Sequence, residues 1–239
     1  MCISRGRYFG YYTYMTRAAD LAAYVFDGRP QLLTPSLQAW MEENPRFADF
    51  IDTYRDKVRK KVRTAKSAQS QLDLRGELEV AYCLLKDRRL EVAYEPYAST
   101  GARGPDYAVT YRANRTFNIE VARIRAVEET ASAGRPERIQ RILFEKLGQM
   151  KTGMPNLLLI HASDALAQTI PLEALMHDLK LRVEKRELAG RYAGPADFYR
   201  DFARLNAILL WCGSPQLWVN KQARIALDER VLHLVASLR

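Results

Sequence analysis

Through the first seventy positions apolar residues recur at three- and four-residue spacing, the period of a helix face, and beyond Leu90 the period changes to two. Thr34-Pro35 and Asn44-Pro45 each read as an N-capping residue followed by proline at the first helical position. After the second, Phe47, Phe50, Ile51, Tyr54, Val58 and Val62 form one apolar stripe, which predicts one continuous helix. Ser67-Ala68-Gln69-Ser70 reads as a polar joint before a second helix from about Leu72 to Lys86, whose apolar face is Leu74, Leu78, Ala81 and Leu85.

Three strand candidates follow: Leu90 to Tyr97, Asp106 to Arg112, and Thr116 to Ile124 with Phe117, Ile119 and Val121 on one side. Ala113-Asn114-Arg115 is the predicted hairpin connection, and the two-glycine loop Ala98 to Gly104 leaves the neighbourhood of Asp106 open to a ligand. A helix from about Arg135 to Met150 ends at Gly153-Met154-Pro155, and Asn156 to His161 reads as a fully buried strand. Helices near Pro171 to Lys185 and Ala196 to Arg204, short strands at Ile208 to Cys212 and Gln216 to Val219, and a helix capped by Asp228 complete the pattern. The order predicts an α/β fold, a mixed central sheet flanked by helices. Residues 1–70 form a helical N-terminal extension to an α/β domain over 71–239, which takes in the C-terminal helices and short strands.

Composition narrows the function classes. A hydrophobic share of 48% and a charged share of 27% describe a globular chain and exclude a disordered one. A net charge of +9 favours polyanionic partners, although many basic proteins bind no nucleic acid. Part of that charge is concentrated in Arg55, Lys57, Arg59, Lys60, Lys61, Arg63 and Lys66. The run is either a phosphate-tracking face, with Arg55, Arg59, Lys60 and Arg63 as nucleic-acid contacts, or a solvated helix surface. Cys2, Cys83 and Cys212 are scattered, as are His161, His177 and His233, so neither a zinc finger nor a disulfide framework is supported. The cysteine usage fits a reducing, cytoplasmic setting. The aromatic and basic N-terminus lacks an apolar h-region, and no apolar run is long enough to cross a bilayer, so a soluble protein without a membrane partner is expected.

The chemistry is carried by carboxylates. Asp106 follows Gly104-Pro105 at the opening of one strand, and Glu120 lies midway along the next in Phe117-Asn118-Ile119-Glu120-Val121-Ala122-Arg123. A carboxylate among apolar strand residues is costly unless a cation neutralises it, and two on adjacent strands suggest a divalent-metal site. Alternation puts Glu120 and Ala122 on one face and Val121 and Arg123 on the other. Asp106, Glu120 and the Val121 backbone carbonyl would supply oxygen ligands to Mg²⁺ or Mn²⁺. Glu77 aligns with Leu74, Ala81 and Leu84 and is the candidate third carboxylate, whereas Glu79 falls further round and is expected to be solvated.

These residues, with the element order from Leu72 to His161, resemble the PD-(D/E)XK nuclease superfamily. The resemblance implies a restriction-endonuclease-like αβββαβ core, a helix-borne acid at Glu77, and metal binding by Asp106 of the Pro105-Asp106 pair and by Glu120. The surrounding text is also similar to a group of bacterial proteins with the same helical leader and an FN(I/V)EV…RIR strand, which implies a nuclease-like fold and supplies no substrate.

One position departs from the motif: Ala122 stands where the superfamily has a lysine that assists the attacking water. Lys146, on the helix after the motif strand and followed by Gln149 at i+3, is the candidate replacement; Lys151 sits at a helix end, and Arg123 faces away. The resulting expectation is a Mg²⁺- or Mn²⁺-dependent nuclease hydrolysing phosphodiester bonds in DNA, in repair or in defence against foreign DNA. The catalytic set is Asp106, Glu120 and Lys146, and a homodimer would let two sites act on two strands. The alternative is a catalytically inactive nucleic-acid-binding or protein-interaction module on the same fold. Trp211 and Trp218 are read as core residues; the aromatic run Tyr8 to Tyr14 is a helix-packing surface, a partner site or a base-stacking platform, with packing the preferred reading.

Overall fold

The computed structural model describes residues 6–98, 104–124, 135–162, 171–187, 192–212 and 215–238, with side chains described from Thr16 onward and, in the sixth helix, from Arg138. The chain divides into two compact units, Met1–Arg88 and Arg89–Arg239, so the division falls after the Leu72–Lys86 helix rather than before it.

The first unit is helical: α1 (Gly6–Val25), α2 (Thr34–Glu43), α3 (Pro45–Thr53), α4 (Arg55–Thr64) and α5 (Ala68–Lys86). Asn44 caps α3 as expected, its side chain accepting from the N–H groups of Arg46 and Phe47. Thr34 does not cap α2. It is the first helical residue, and its hydroxyl accepts from the Gln31 N–H (2.8 Å). The continuous helix expected after Asn44 is broken at Tyr54 into α3 and α4, with neither proline nor glycine marking the break. The stripe survives the break, because Phe47, Phe50, Ile51, Val58 and Val62 are all buried. The presumed joint at Ser67 to Ser70 is the first turn of α5, closed by a reciprocal capping box between the two serines. The aromatic run Tyr8 to Tyr14 falls on α1, and its side chains lie outside the described residues.

The second unit is a mixed six-stranded sheet in the order β1-β2-β3-β4-β5-β6. Its strands are β1 (Leu90–Tyr94), β2 (Tyr107–Tyr111), β3 (Arg115–Arg123), β4 (Asn156–His161), β5 (Leu205–Trp211) and β6 (Gln216–Val219). Pairing is antiparallel for β1/β2, β2/β3 and β5/β6, and parallel for β3/β4 and β4/β5. The helices are α6 (Arg135–Leu147), α7 (Leu172–Glu184), α8 (Pro195–Phe202) and α9 (Glu229–Ala236). Asp228 caps α9 through the Arg230 N–H (2.8 Å).

Ile139, Leu143 and Leu147 of α6, Leu172, Met176 and Leu179 of α7, and Phe198 and Phe202 of α8 pack in one core against Leu158, Ile160, Ile208, Leu210 and Trp218. Ala122 packs against the same cluster, so this face of β3 is the helix-covered one. Trp218 therefore belongs to the core, as does Trp211, whose indole N–H donates to the Leu238 carbonyl (3.2 Å). Among the described residues no helix is long and apolar enough to cross a membrane.

Four buried asparagines join the strands at one end of this sheet. The Asn118 amide donates to Asn156 Oδ1 (3.1 Å), and Asn156 Nδ2 donates to the carbonyls of Lys151, Met154 and Arg204. Asn206 is the extra residue of a bulge in β5, where Asn156 pairs with Leu205 but Leu157 pairs with Ala207. Its side-chain oxygen accepts from the Asn156 N–H (2.8 Å) and its amide donates to the Ile225 carbonyl. Asn220 donates to the carbonyls of Phe202 and Leu205. Replacing Asn156 would strand several buried partners at once, each costing about 1 kcal/mol or more. Asn156→Ala is therefore expected to lower stability by about 3 kcal/mol in urea unfolding, while the exposed Lys185→Ala changes it by less than about 0.5 kcal/mol.

Candidate functional site

The β2/β3 register sets the site. Tyr107 pairs with Ile119, so one step before β2 begins Asp106 stands opposite Glu120. Asp106 Oδ2 accepts from the Val121 N–H (2.8 Å), which holds the carboxylate against the free length of β3. The N–H and C=O of a strand residue leave from the same edge, so the Val121 carbonyl is directed to the edge on which Asp106 lies. Gly104 makes this seating possible: a Cβ there would meet Tyr97 Cδ2 at 2.8 Å and Tyr97 Cβ at 2.9 Å. Tyr97 is anchored by its hydroxyl, which donates to Asn118 Oδ1 (3.2 Å), and Lys151 Nζ lies 4.6 Å from its ring centroid.

Glu120 is only 3% exposed, and its carboxylate is ion-paired with the Lys146 ammonium. Lys146 projects from the last turn of α6, one turn beyond buried Leu143 and beside buried Leu147, so the helix face that covers the sheet also delivers the lysine. The structure thus brings Glu120 and Lys146, both singled out in the sequence, into one ion pair. Lys151 instead lies over Tyr97.

Beside Asp106 opens a recess of about 340 Å³ lined by Glu95, Tyr97, Ala98, Gly104, Pro105, Asp106 and Gln149. Residues 99–103 of the loop expected to flank it lie outside the described residues. Glu95 is a lining residue that sequence reasoning missed. Its N–H donates to the Asp106 carbonyl (2.7 Å), and it sits at φ 44° where the chain leaves β1. The β1 pattern runs to Tyr97 on paper, and only the left-handed backbone at Glu95 ends it at Tyr94.

Glu77 is the expected third carboxylate. Glu77 lies on α5 in the first unit, where its side chain is ion-paired with Lys61 at 2.5 Å. Glu79, expected to be solvated, is half-buried, and burial raises its pKa against the opposing pull of Arg75. Among the described residues no three Cys, His, Asp or Glu side chains are grouped so that they hold a metal ion. Two carboxylates and one carbonyl remain, all oxygen donors. That set suits Mg²⁺, which keeps several waters and is commonly bound through one or two carboxylates plus substrate phosphate.

The basic run on α4 is largely engaged within its own unit. Arg59 and Arg63 both pair with Asp27, Arg55 pairs with Asp52, and Arg59 also lies over the Tyr24 ring at 4.4 Å. Lys60 is exposed and carries no ion pair among the described residues. Arg63 and Arg59 hold the Asp27 carboxyl at about 2, below its ordinary value. A carboxyl depressed in the folded state stabilises fully above its unfolded pKa of about 4. That contribution is lost as pH falls through about 2. The urea-unfolding stability of Asp27→Asn is therefore expected to depend less on pH between about 4 and 2 than that of the wild type.

Removing Lys146 leaves a buried carboxylate without its ammonium, a change that costs about 3–5 kcal/mol when both partners are fully buried. Lys146 keeps about a quarter of its side-chain exposure. Lys146→Met is accordingly expected to cost about 2 to 3 kcal/mol in denaturant unfolding, with most of that cost recovered in the Lys146→Met/Glu120→Gln double variant. No family model, curated protein or solved structure matches this chain, so the site is read from its own residues.

Proposed function

We propose that the chain is a metal-dependent phosphodiesterase acting on DNA, a member of the PD-(D/E)XK type with its lysine displaced from position 122 to position 146. The observation that carries the reading is the ion pair between Lys146 and buried Glu120, with Asp106 standing opposite Glu120 and lining an open recess. The chain order α5, β1, β2, β3, α6, β4 supports it, being the αβββαβ order that the sequence resemblance implies.

In this reading Asp106, Glu120 and the Val121 carbonyl would hold a Mg²⁺ or Mn²⁺ ion. The bound ion supplies a lowered water pKa and a positive charge for the phosphate oxygens. Lys146 keeps its proton and places an ammonium beside Glu120, where it offsets negative charge gathering on the phosphate and orients the attacking water. Asp106 is kept in position by the Val121 N–H. Gln149, on the recess wall, offers an amide for substrate oxygens or a water. Glu77, on α5 of the first unit and ion-paired there with Lys61, is not assigned to the ligand set.

The two-carboxylate count favours a second reading, a nucleic-acid-binding module without turnover. Cleavage of supercoiled plasmid and of labelled single strands in Mg²⁺ or Mn²⁺ separates the two. Metal-dependent nicking is expected, with at least a ~100-fold loss in Asp106→Asn and in Lys146→Met. Cleavage by the wild type that persists in Asp106→Asn overturns the assignment. Absence of cleavage with intact binding selects the second reading.

A further inference from the structure

At the far end of β2 from Asp106, the hairpin and the last helix enclose a recess of about 600 Å³ lined by Arg89, Tyr111, Arg112, Arg230, His233, Leu234 and Ser237. Three guanidinium groups and an imidazole face one opening, and no carboxylate is among the seven lining residues. This sets the recess apart from the other basic clusters of the chain. On α4 the arginines meet Asp27 and Asp52, and at the candidate site Lys146 meets Glu120. Here Arg112 has the Tyr111 ring as its neighbour at 5.3 Å, and neither Arg112 nor Arg230 has an ion-pair partner among the described residues.

The arrangement is built rather than incidental. Tyr111 is 2% exposed and forms a fixed floor, with Arg89 also over its ring at 5.6 Å. The Arg112 N–H donates to the Arg89 carbonyl (2.8 Å), tying the two arginines across the β1/β2 pair. Arg112 and Ala113 both adopt positive φ, 50° and 61°, which turns the hairpin tightly behind the recess. An ion pair between Arg115 and Asp228 fastens the start of α9 to the same hairpin, so Arg230 and His233 are held opposite Arg112.

Arg89 and Arg112 both stand over the Tyr111 ring, and guanidinium forks match phosphate oxygens in pairs. A small metabolite would normally be enclosed on most of its surface. This recess is open, and Arg89, Arg112 and Arg230 are all exposed, so the fitting ligand is a chain of phosphates that tracks across it. We infer that this arginine recess is a docking site for the phosphodiester backbone of a nucleic acid, separate from the carboxylates and about 20 Å from Asp106 along β2 at ~3.4 Å per residue. The inference rests on the nucleic-acid part of the reading above and not on its metal chemistry.

The test is fluorescence-anisotropy titration of labelled duplex DNA, single-stranded DNA and single-stranded RNA in EDTA at low salt, where no cleavage intervenes. The double variant Arg112→Ala/Arg230→Ala is expected to weaken binding at least tenfold on the preferred strand. It should also flatten the dependence of log K on log salt by about 2, near one unit for each phosphate that is no longer neutralised. Arg112→Lys/Arg230→Lys, which keeps the charge and removes the forks, should fall between the two. The same charge removed at exposed Arg29 and Lys185 should leave affinity within twofold. Equal weakening by the Arg29→Ala/Lys185→Ala control, unchanged affinity in the recess variant with its melting temperature intact, or no wild-type binding to any of the three probes overturns the inference. A wild type that binds through this recess yet never cleaves in Mg²⁺ leaves it standing and refutes only the phosphodiesterase.

Discussion

The register of the parallel strands depends on the Asn156 side chain. Between β2 and β3 a three-residue hairpin connection fixes which residues face each other. Parallel strands have no such device, because their connections cross over through helices and constrain register weakly. Here one amide bonds Asn118 on β3, the turn before β4 and the carbonyl of Arg204 before β5, while its backbone N–H is received by Asn206. Alignment of β3 with β4 is thereby set by bonds that a one-residue slip would break together. Everything catalytic that is proposed for β3 and α6 inherits its position from that alignment.

Burial of Glu120 follows from this frame. Its strand face is the one covered by α6 and α7, a place where an aliphatic residue would pack without cost and where Ala122 does so. A carboxylate there needs a counter-charge, and the helix end supplies it through Lys146 while Leu143 and Leu147 fill the apolar space around it. Stability alone gives no reason to prefer such a pair over two packed hydrophobic residues. The phosphodiesterase reading gives the carboxylate a chemical use, and a recess opens beside its cross-strand neighbour Asp106.

How much of this could be read from the chain differs element by element. The strands at Asp106 to Ile124 and Asn156 to His161 were legible because period two and an unbroken apolar run have few rivals at those lengths. Lys146 stood out in the sequence because it lies on the helix after the motif strand, and its three-residue spacing from buried Leu143 accounts for its reaching Glu120. The Ser67 capping box was not, since its third residue is serine where the familiar signal is glutamate or glutamine. The ion-pair partners of the basic run on α4 were not legible for a different reason: Asp27 and Glu77 lie far away in sequence, and composition cannot pair them. The asparagine network was invisible for the same cause. Isolated asparagines read as turn residues until the strands that bring them together are known.

The bulge at Asn206 has a consequence for chain length. Leu205, Ile208 and Leu210 all belong to the helix-covered core, although a regular strand would send positions three apart to opposite faces. The extra residue acts as a phase shift that keeps both halves of β5 in step with the same neighbours. Deleting it would conserve hydrophobic content almost perfectly and still turn one half of the strand inside out. In this segment the spacing between residues carries more structural information than their identities.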